Sequence, residues 1–400
     1  MEPCGRAVAG ELAQLVVERA LRLGPLPYDE VLDLVLYHPV HGFYSSGRGP
    51  GRGRDFLTGP EVGPLFGAVV ARALDAWWDG LGRPDPFVVV EAGAGPGTLA
   101  TAVLAARPAC RPALRYVLVE RSDALRRAQR ARLPLEPAAF VLGPVLLPDP
   151  DIGPRPRPGS GPLATSLAEL PVGPFDGVIM ANELLDNLPF RLFQRSGDGE
   201  PPPTRVERHQ NAEGGGWSEV RVGHDLTELL VPASPEAADE AERFAPEAPP
   251  AARIPLQHQA AAWLRSALGA LHRGRVVVVD YADTTPALAC RPWTEWVRTY
   301  RAHGRGAHPL ADLGAQDVTC EVAVDQLAAV RPPAVDRTQA EFLAAHGLAE
   351  LVDEARRTWQ ERAATGDLAA MKARSRVNEA AALSDPSGLG SFRVLEWVVG

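Results

Sequence analysis

The sequence predicts an α/β fold built on a parallel sheet, and three observations lead to that prediction. Short apolar runs rich in β-branched residues alternate along the chain with longer segments of helical apolar spacing. The run Val88–Val90 is of the kind that a parallel strand covered on both faces requires. Directly after it, Gly93, Gly95 and Gly97 allow a sharp turn into a helix, with Glu91 between strand and glycines.

Composition limits the classes of function. The 400 residues are 46% hydrophobic and 23% charged, as in ordinary globular proteins. The net charge of −9 disfavours non-specific binding to nucleic acid or to anionic membranes. No apolar run approaches the ~20 residues of a membrane helix, and we expect no signal peptide. Four widely spaced cysteines predict neither a metal site nor disulfides, so we expect a reducing, cytoplasmic location.

The remaining elements follow from apolar spacing and from glycine and proline breaks. Strands are predicted at residues 87–90, 115–119, 140–142, 175–180, 276–279, 318–324 and 392–398. Helices are predicted within 9–36 (two), and at 68–78, 98–106, 122–132, 257–272 and 338–364, the last interrupted near Gly347.

Residues 196–255 have the composition of an insertion. Arg205–Val222 alternates around Gly214–Gly216, which predicts a β-hairpin, and residues 232–255 are expected to be partly helical or loose. We therefore divide the chain into N-terminal helices with an active-site loop (1–80), a ligand-binding core (81–195), an insertion (196–272) and the rest of the core (273–400).

The glycine turn carries the first functional hypothesis. A dinucleotide fold prefers G-x-G-x-x-G, whereas this chain has G-x-G-x-G behind Glu91, a pattern typical of S-adenosylmethionine sites. Glu120 ends the second strand, where a carboxylate can accept hydrogen bonds from two ribose hydroxyls. The alternative for Glu120 is a solvated carboxylate at a strand end.

A second polar loop follows the fourth strand. Asn182, Glu183 and Asp186 place one amide and two carboxylates within a single turn, at the sheet edge where ligands bind in open α/β folds. Asp186 and Asn187 could equally cap a helix. Upstream, a glycine and proline loop with Thr58 and Glu61 could cap the following helix or close over a ligand.

The histidines carry weaker hypotheses. His38 and His41 are interpreted as loop residues, because no acid or cysteine nearby would complete a metal site. His303 could act as a base, but we interpret it as a packed loop residue. No metal is therefore expected.

Several segments in order resemble the class I S-adenosylmethionine-dependent methyltransferases of the MidA type, whose mitochondrial members methylate protein arginine during complex I assembly. The matching segments are Leu36–Pro39 with Gly42–Tyr44, Phe56–Glu61 with Phe66–Gly67, Glu91–Leu99, Val119–Glu120, Asn182–Pro189, Asp280–Tyr281, Arg298–His303, Asp317–Thr319 and Thr338–Gln339. A glycine turn occurs in many families, but this ordered set is specific to one.

The resemblance implies a Rossmann-like sheet with an N-terminal helical extension and an inserted hairpin and helical region on the substrate side. It implies S-adenosyl-L-methionine as cofactor and, as acceptor, a protein or peptide nitrogen, with arginine favoured. The implied cofactor residues are Glu91, Gly93, Gly95, Gly97, Glu120, Ser166, Leu167 and Asn182, and the implied catalytic residues are Glu183, Asp186 and Glu61.

The chain departs from the family pattern at three places, which bear mainly on the acceptor. They are Ala100–Ala102 in place of an acid, Ala282 in place of glycine, and Cys320–Glu321 in place of Ala-His. A bacterial paralogue with another substrate would fit these departures. Small-molecule O- or N-methylation and a non-catalytic assembly factor therefore stay open.

Two other functions are disfavoured. The glycine spacing argues against a dehydrogenase. Ala181–Leu184 stands where nucleic-acid amino-methyltransferases carry an Asn/Asp-Pro-Pro-aromatic turn, and the net charge also argues against that class. The sequence does not specify an oligomeric state.

Overall fold

The computed structural model describes residues 3–45, 59–143, 157–197, 216–301, 304–365 and 367–400. Its strands are β1 (Leu26–Pro27), β2 (Phe87–Ala92), β3 (Leu114–Val119), β4 (Leu163–Leu167), β5 (Phe175–Asn182), β6 (Arg191–Arg195), β7 (Trp217–Val222), β8 (Glu228–Pro232), β9 (Arg253–Leu256), β10 (Leu271–Asp280), β11 (Ala282–Asp283), β12 (Val297–Arg301), β13 (Gly304–Arg305), β14 (Asp317–Cys320), β15 (Val322–Ala323), β16 (Val335–Thr338) and β17 (Arg393–Val399).

Its helices are α1 (Pro3–Leu23), α2 (Tyr28–Tyr37), α3 (Gly59–Val62), α4 (Pro64–Gly80), α5 (Thr98–Ala105), α6 (Asp123–Arg132), α7 (Ala138–Leu142), α8 (Pro235–Phe244), α9 (His258–Gly269), α10 (Thr285–Ala289), α11 (Trp293–Trp296), α12 (Val324–Val330), α13 (Gln339–Ala345), α14 (Leu348–Arg362) and α15 (Leu368–Leu383), with short 3₁₀ helices at Leu185–Asn187 and Leu389–Ser391. None of the described helices is both long and apolar enough to cross a membrane.

The central sheet has seven strands in the order β16-β17-β10-β5-β2-β3-β4. The strands from β10 to β4 are parallel to their neighbours, whereas β17 is antiparallel to β10 and to β16. The predicted α/β class is therefore confirmed, but the sheet is mixed rather than purely parallel. The sequence could not show this because the apolar pattern of a strand carries no direction.

The valine run explains why the sheet is covered on both faces. Val89 packs in the cluster formed with α4, α5 and α14, on one face. Val88 and Val90 pack on the other face with residues of α9 and α12. Because successive side chains of a strand point to opposite faces, a run buried on both sides must be apolar at every position.

Four secondary-structure predictions need correction. The run at 140–142 is the end of α7, with Pro137 before the helix and Gly143 at φ +68° after it, and the third parallel strand is β4 instead. The run at 318–324 is divided into β14, β15 and the first residue of α12. Helix α4 begins at Pro64 rather than at residue 68. Helix α15 was not predicted, because its many alanines give no clear apolar stripe.

A second, antiparallel sheet stands beside the central one. Its order is β1-β7-β6-β9, with β8 also paired to β7. The predicted strand ending at Val222 is β7, and its partners are β1, β6 and β8. The predicted first arm, from Arg205, and the turn glycines Gly214 and Gly215 lie outside the described residues. The division of the chain into four domains remains a prediction.

The carboxyl ends of the central parallel strands lie at one edge of the sheet. They bring Glu91, Glu120, Asn182, Glu183 and Asp280 to this edge. Ligands in open α/β sheets bind outside this edge, so the fold brings the predicted site residues to the expected place.

Candidate active site

A cavity of about 510 Å³ opens at the carboxyl edge of the central sheet. This volume is within the usual range for small-molecule sites, roughly 300–1,000 Å³. Its walls come from the glycine turn, the ends of β3 and β5, the segment after β4, and helices α2, α3 and α9. The lining residues used below are Tyr37, Tyr44, Pro60, Glu61, Glu91, Gly93, Gly95, Glu120, Ala168, Glu169, Leu170, Asn182, Glu183 and Asn187.

The glycine turn that the sequence predicts is present. Gly93, Gly95 and Gly97 have φ of +69°, +51° and +82°, a region that other L-residues rarely adopt. A Cβ on Gly93 would lie 2.9 Å from the side chain of Leu184. A Cβ on Gly95 would meet nothing within 4 Å, so at Gly95 the backbone conformation, rather than space, requires glycine.

Glu91 lies next to the end of β2 and is almost fully buried, with 5% of its surface exposed. The hydroxyl of Tyr116 donates a hydrogen bond of 2.7 Å to its carboxylate. Burial raises the pKa of Glu91 to about 7, although the Tyr116 hydrogen bond favours the ionised form. Tyr116 was not identified from sequence, because it lies in a neighbouring strand 25 residues away.

Glu120 follows β3 and supports the glycine turn. Its carboxylate accepts hydrogen bonds from the backbone N–H of Gly95 at 3.0 Å and of Ser122 at 2.8 Å. Burial raises its pKa. Since an ionised carboxylate can accept about four hydrogen bonds, Glu120 keeps the capacity to accept from ligand hydroxyls.

Ser166 and Leu167 lie in β4 and are not among the residues that line the cavity. Ser166 donates instead to Gln129, which donates in turn to the carbonyl of Gly95 at 2.8 Å. Ser166 and Gln129 therefore support the glycine turn without lining the cavity. The cavity wall begins one residue further on, at Ala168–Leu170.

Glu183 also lines the cavity, lies directly after β5, and has φ +50°. Such a φ is uncommon for a non-glycine residue and is often found at functional sites. Oε1 of Glu183 accepts from the backbone N–H of Gly59 at 3.0 Å and from the amide of Asn182 at 3.1 Å. Burial raises the pKa of Glu183 to about 8, and the nearby Asp186 contributes.

Glu61 lies in α3 and also lines the cavity. Its carboxylate accepts a hydrogen bond of 2.7 Å from the hydroxyl of Thr98, the first residue after the glycine turn. This bond joins α3 to the turn. Thr58, in the same loop, lies outside the described residues, as does His303.

The hypothesis that Asp186 is a catalytic residue differs from its position in the structure. Only 3% of it is exposed, its carboxylate accepts from the hydroxyl of Tyr281, and it is not among the lining residues. Burial raises its pKa to about 6. Its backbone N–H and that of Leu185 are bound by Asp280. Asp186 is therefore part of the buried support of the loop and does not face the cavity.

Two tyrosines of the wall were not singled out from the sequence. The rings of Tyr37 and Tyr44 stack with their centroids 5.6 Å apart. Tyr37 donates to the carbonyl of Asn187 at 3.0 Å, and Tyr44 donates to Asp317 at 2.9 Å. Burial raises the pKa of Asp317 to about 7. Tyr37, Tyr44, Asn187 and Asp317 all lie within the segments that resemble the family. This resemblance was the one signal in the sequence that could have pointed to them.

Two parts of the cavity surroundings are named here by their residues, and the hydrogen bond between Glu61 and Thr98 joins them. The turn end is formed by Glu91, Gly93–Gly97 and Glu120, and the loop end by Gly59–Glu61 and Asn182–Glu183. No group of three or more metal-ligating side chains occurs in the part of the chain that the structure describes.

Known proteins resemble this chain in sequence and in fold. Residues 69–338 match the model of the family Methyltransf_28, which is described as S-adenosyl-L-methionine-dependent methyltransferases. A protein from Drosophila melanogaster named protein arginine methyltransferase NDUFAF7 homolog, mitochondrial, is 32% identical over 46% of this chain and 42% of its own. The human protein arginine methyltransferase NDUFAF7 is 31% identical over 26% and 23%. The chain thus spans less than half the length of these relatives.

Solved structures show the same fold. A methyltransferase-like protein from Burkholderia thailandensis bound to S-adenosyl-homocysteine has a TM-score of 0.76 at 24% identity, covering 99% of this chain and 94% of its own. A native crystal structure from the same organism has a TM-score of 0.74 at 23% identity, covering 100% and 94%. With a family match over about two thirds of its length, this chain belongs to the MidA-type family of S-adenosyl-L-methionine-dependent methyltransferases.

Proposed function

We propose that this protein transfers a methyl group from S-adenosyl-L-methionine to a guanidinium nitrogen of arginine in a protein or peptide. The observation that carries the proposal is that Glu183 and Glu61 both line the cavity that the glycine turn also lines. The names of the partial relatives, protein arginine methyltransferases, support the same acceptor.

The turn end fits the cofactor. Glu120 can accept from the two ribose hydroxyls, and Ala168 and Leu170 offer apolar surface for the adenine. The turn at Gly95 brings backbone close to the cavity with no side chain in the way. Glu91 offers a carboxylate to the methionine ammonium group. When bound, the cofactor supplies an electrophilic methyl group on a sulfonium.

The loop end fits a cation. An arginine guanidinium is always charged and has five N–H donors in a plane, so carboxylates orient it best. Glu183 and Glu61 both reach the cavity, and the rings of Tyr37 and Tyr44 form a wall suited to a flat cationic group. Bound guanidinium would lower the pKa of Glu183 from about 8 and so stabilise its carboxylate.

The role of the protein in the reaction is mainly to hold acceptor and donor in line. The new N–C bond forms as the S–C bond breaks, the sulfur keeps the electron pair of that bond, and the methylated nitrogen loses one proton. In this proposal Glu183 accepts that proton, because a pKa near neutrality suits a general base.

The test is a labelled-cofactor screen. The protein is incubated with a proteome lysate and methyl-labelled S-adenosyl-L-methionine, and products are analysed by mass spectrometry, with Glu183→Gln as the control. We expect label on arginine side chains that is lost in the variant. Label found in small metabolites only would contradict a protein substrate and indicate a small-molecule acceptor. Cofactor binding without any turnover, together with retained partner binding, would indicate an assembly factor.

A further inference from the structure

Helix α3 contributes both Gly59 and Glu61 to the loop end, yet it has only four residues. A helix this short gains little stability from its own hydrogen bonds, because nucleation is costly and only one turn forms. Its position must therefore be set by what it packs against. The described neighbours are α4, α5 and α15.

The junction of α3 and α4 rests on a buried carboxylate far along the chain. Glu379, in α15, is 4% exposed, and its Oε2 accepts from the backbone N–H of Leu65 at 3.0 Å. Its Oε1 accepts from the hydroxyl of Ser375 at 2.9 Å. Gly63 precedes α4 and offers no side chain to cap it, and Pro64 has no N–H. The first free donor of α4 is thus bound by a residue 314 positions away.

Gly63 shows how close this contact is. Its φ of 165° is extended backbone that any residue adopts, so conformation does not require glycine here. A Cβ at Gly63, however, would overlap the carboxyl group of Glu379. Glycine is needed because the carboxylate lies directly against the backbone. Position 63 and position 379 are therefore sterically coupled.

The same contact leads to the active site. Gly59, four residues before Gly63, donates its N–H to Glu183, and Glu61 accepts from Thr98. A buried side chain in α13, Gln339, lies near Gly59 and donates to the carbonyl of Leu383 in α15. Helix α3 is thus held between the glycine turn on one side and α13 and α15 on the other.

We propose that Glu379 is a positioning residue for the acceptor site: by binding the start of α4 against Gly63, it holds α3 so that Gly59 keeps its hydrogen bond to Glu183 and Glu61 stays at the cavity wall. The inference rests on the proposed function for the identity of the acceptor, whereas the position of α3 does not depend on that function. Glu379 lies outside the residues matched by the family model.

The experiment compares Glu379→Ala, Gly63→Ala and the double variant, with Glu361→Ala on exposed α14 as the matched control. We expect each single variant to raise KM for an arginine peptide about tenfold. A change of this size corresponds to the free energy of about one hydrogen bond. The Kd for S-adenosyl-homocysteine should stay unchanged. In the double variant, the methyl group introduced by Gly63→Ala no longer meets a carboxylate, so the effect of that substitution should largely disappear. Additive effects of the two changes would overturn the steric coupling.

A second readout separates positioning from plain stability. Because the Gly59 N–H favours the ionised form of Glu183, its displacement should raise the pKa of Glu183 further above about 8. Carboxyl NMR titration with S-adenosyl-homocysteine bound, with the signal assigned through Glu183→Gln, measures this directly and needs no acceptor. An unchanged Glu183 pKa in Glu379→Ala would overturn the inference. A wild type that methylates no protein would overturn only the proposed function.

Discussion

The turn end and the loop end are built in different ways. The turn end is formed by one continuous strand, turn and helix start, with Glu120 added from the adjacent strand. The loop end combines residues from α3 and the end of β5, held by contacts to α15 that span more than 300 positions of the chain. The difference teaches that the part of the cavity proposed for the cofactor is built by local structure, whereas the part proposed for the acceptor depends on tertiary packing.

Burial raises the pKa of acids at both ends, and the larger group of such acids lies near the loop end. At the turn end, Glu91 and Glu120 accept hydrogen bonds from hydroxyl or backbone donors of their own sheet or turn, and burial raises the pKa of Glu91 to about 7 and also that of Glu120. Near the loop end, the pKa values of Glu183, Asp186 and Asp317 are all raised by burial, to about 8, 6 and 7. Several acids crowded together repel one another when ionised, so a cation bound near Glu183, as we propose, would lower these pKa values.

The largest expected effect is at the turn end. Glu91→Ala should abolish saturable S-adenosyl-L-methionine binding in isothermal titration calorimetry, a loss of at least about 100-fold, because it removes the carboxyl group that we propose binds the methionine ammonium group. Glu91→Gln keeps an acceptor for Tyr116 and tests whether the charge itself matters. Glu169→Ala, at an exposed acid of the same cavity, is the control. Undiminished affinity in a folded Glu91→Ala protein would remove Glu91 from the cofactor site.

The next effect is at the loop end. Glu183→Gln should lower kcat/KM for an arginine peptide by about 100-fold and leave cofactor affinity within about twofold, since it removes both a negative charge and a base. The measurement is methyl transfer to the peptide at saturating cofactor, beside calorimetry with S-adenosyl-homocysteine. A variant that loses cofactor affinity to the same degree would show that the two ends are not separate.

The pH dependence sharpens the assignment of Glu183. The free protein holds this carboxyl group with a pKa of about 8, and a cationic acceptor needs the ionised form. We therefore expect kcat/KM for the acceptor to rise about tenfold per pH unit below pH 8 and to level off above it. Glu183→Gln should remove this rise. Its persistence in the variant would assign the titration to another group.

The smallest effect on activity is expected at Asp186, which does not face the cavity. Asp186→Asn should change kcat and both affinities by less than about threefold. It should act on stability instead. Because folding raises the pKa of Asp186 from 3.8 to about 6, the folded state binds more protons and its stability falls as pH rises through that window.

Thermal unfolding across pH 4 to 6 tests this sign. The wild type should lose stability over that range, and Asp186→Asn should lose less, because asparagine has no charge to bury. A large fall in kcat in Asp186→Asn would contradict this prediction and indicate a catalytic role for Asp186.

Much of the fold could be predicted from the sequence, and the errors have physical causes. The valine run and Gly93–Gly97 were correctly interpreted because burial on both faces and positive φ leave few alternatives. The run at 140–142 was misassigned because three apolar residues fit a strand or a helix end equally well. Helix α15, and Glu379 with it, was missed because alanines give little periodic signal.

The sequence by itself determined the α/β class, the glycine turn, the two acids at strand ends and the family. Each of these depends on residues close together in the chain, whose side chains have few structural choices. Only the tertiary structure decided that Glu183 faces the cavity while Asp186 faces Tyr281, and that Ser166 supports the turn from behind. A spacing of three residues in a loop does not determine which way each side chain points. Packing against residues distant in the chain determines it.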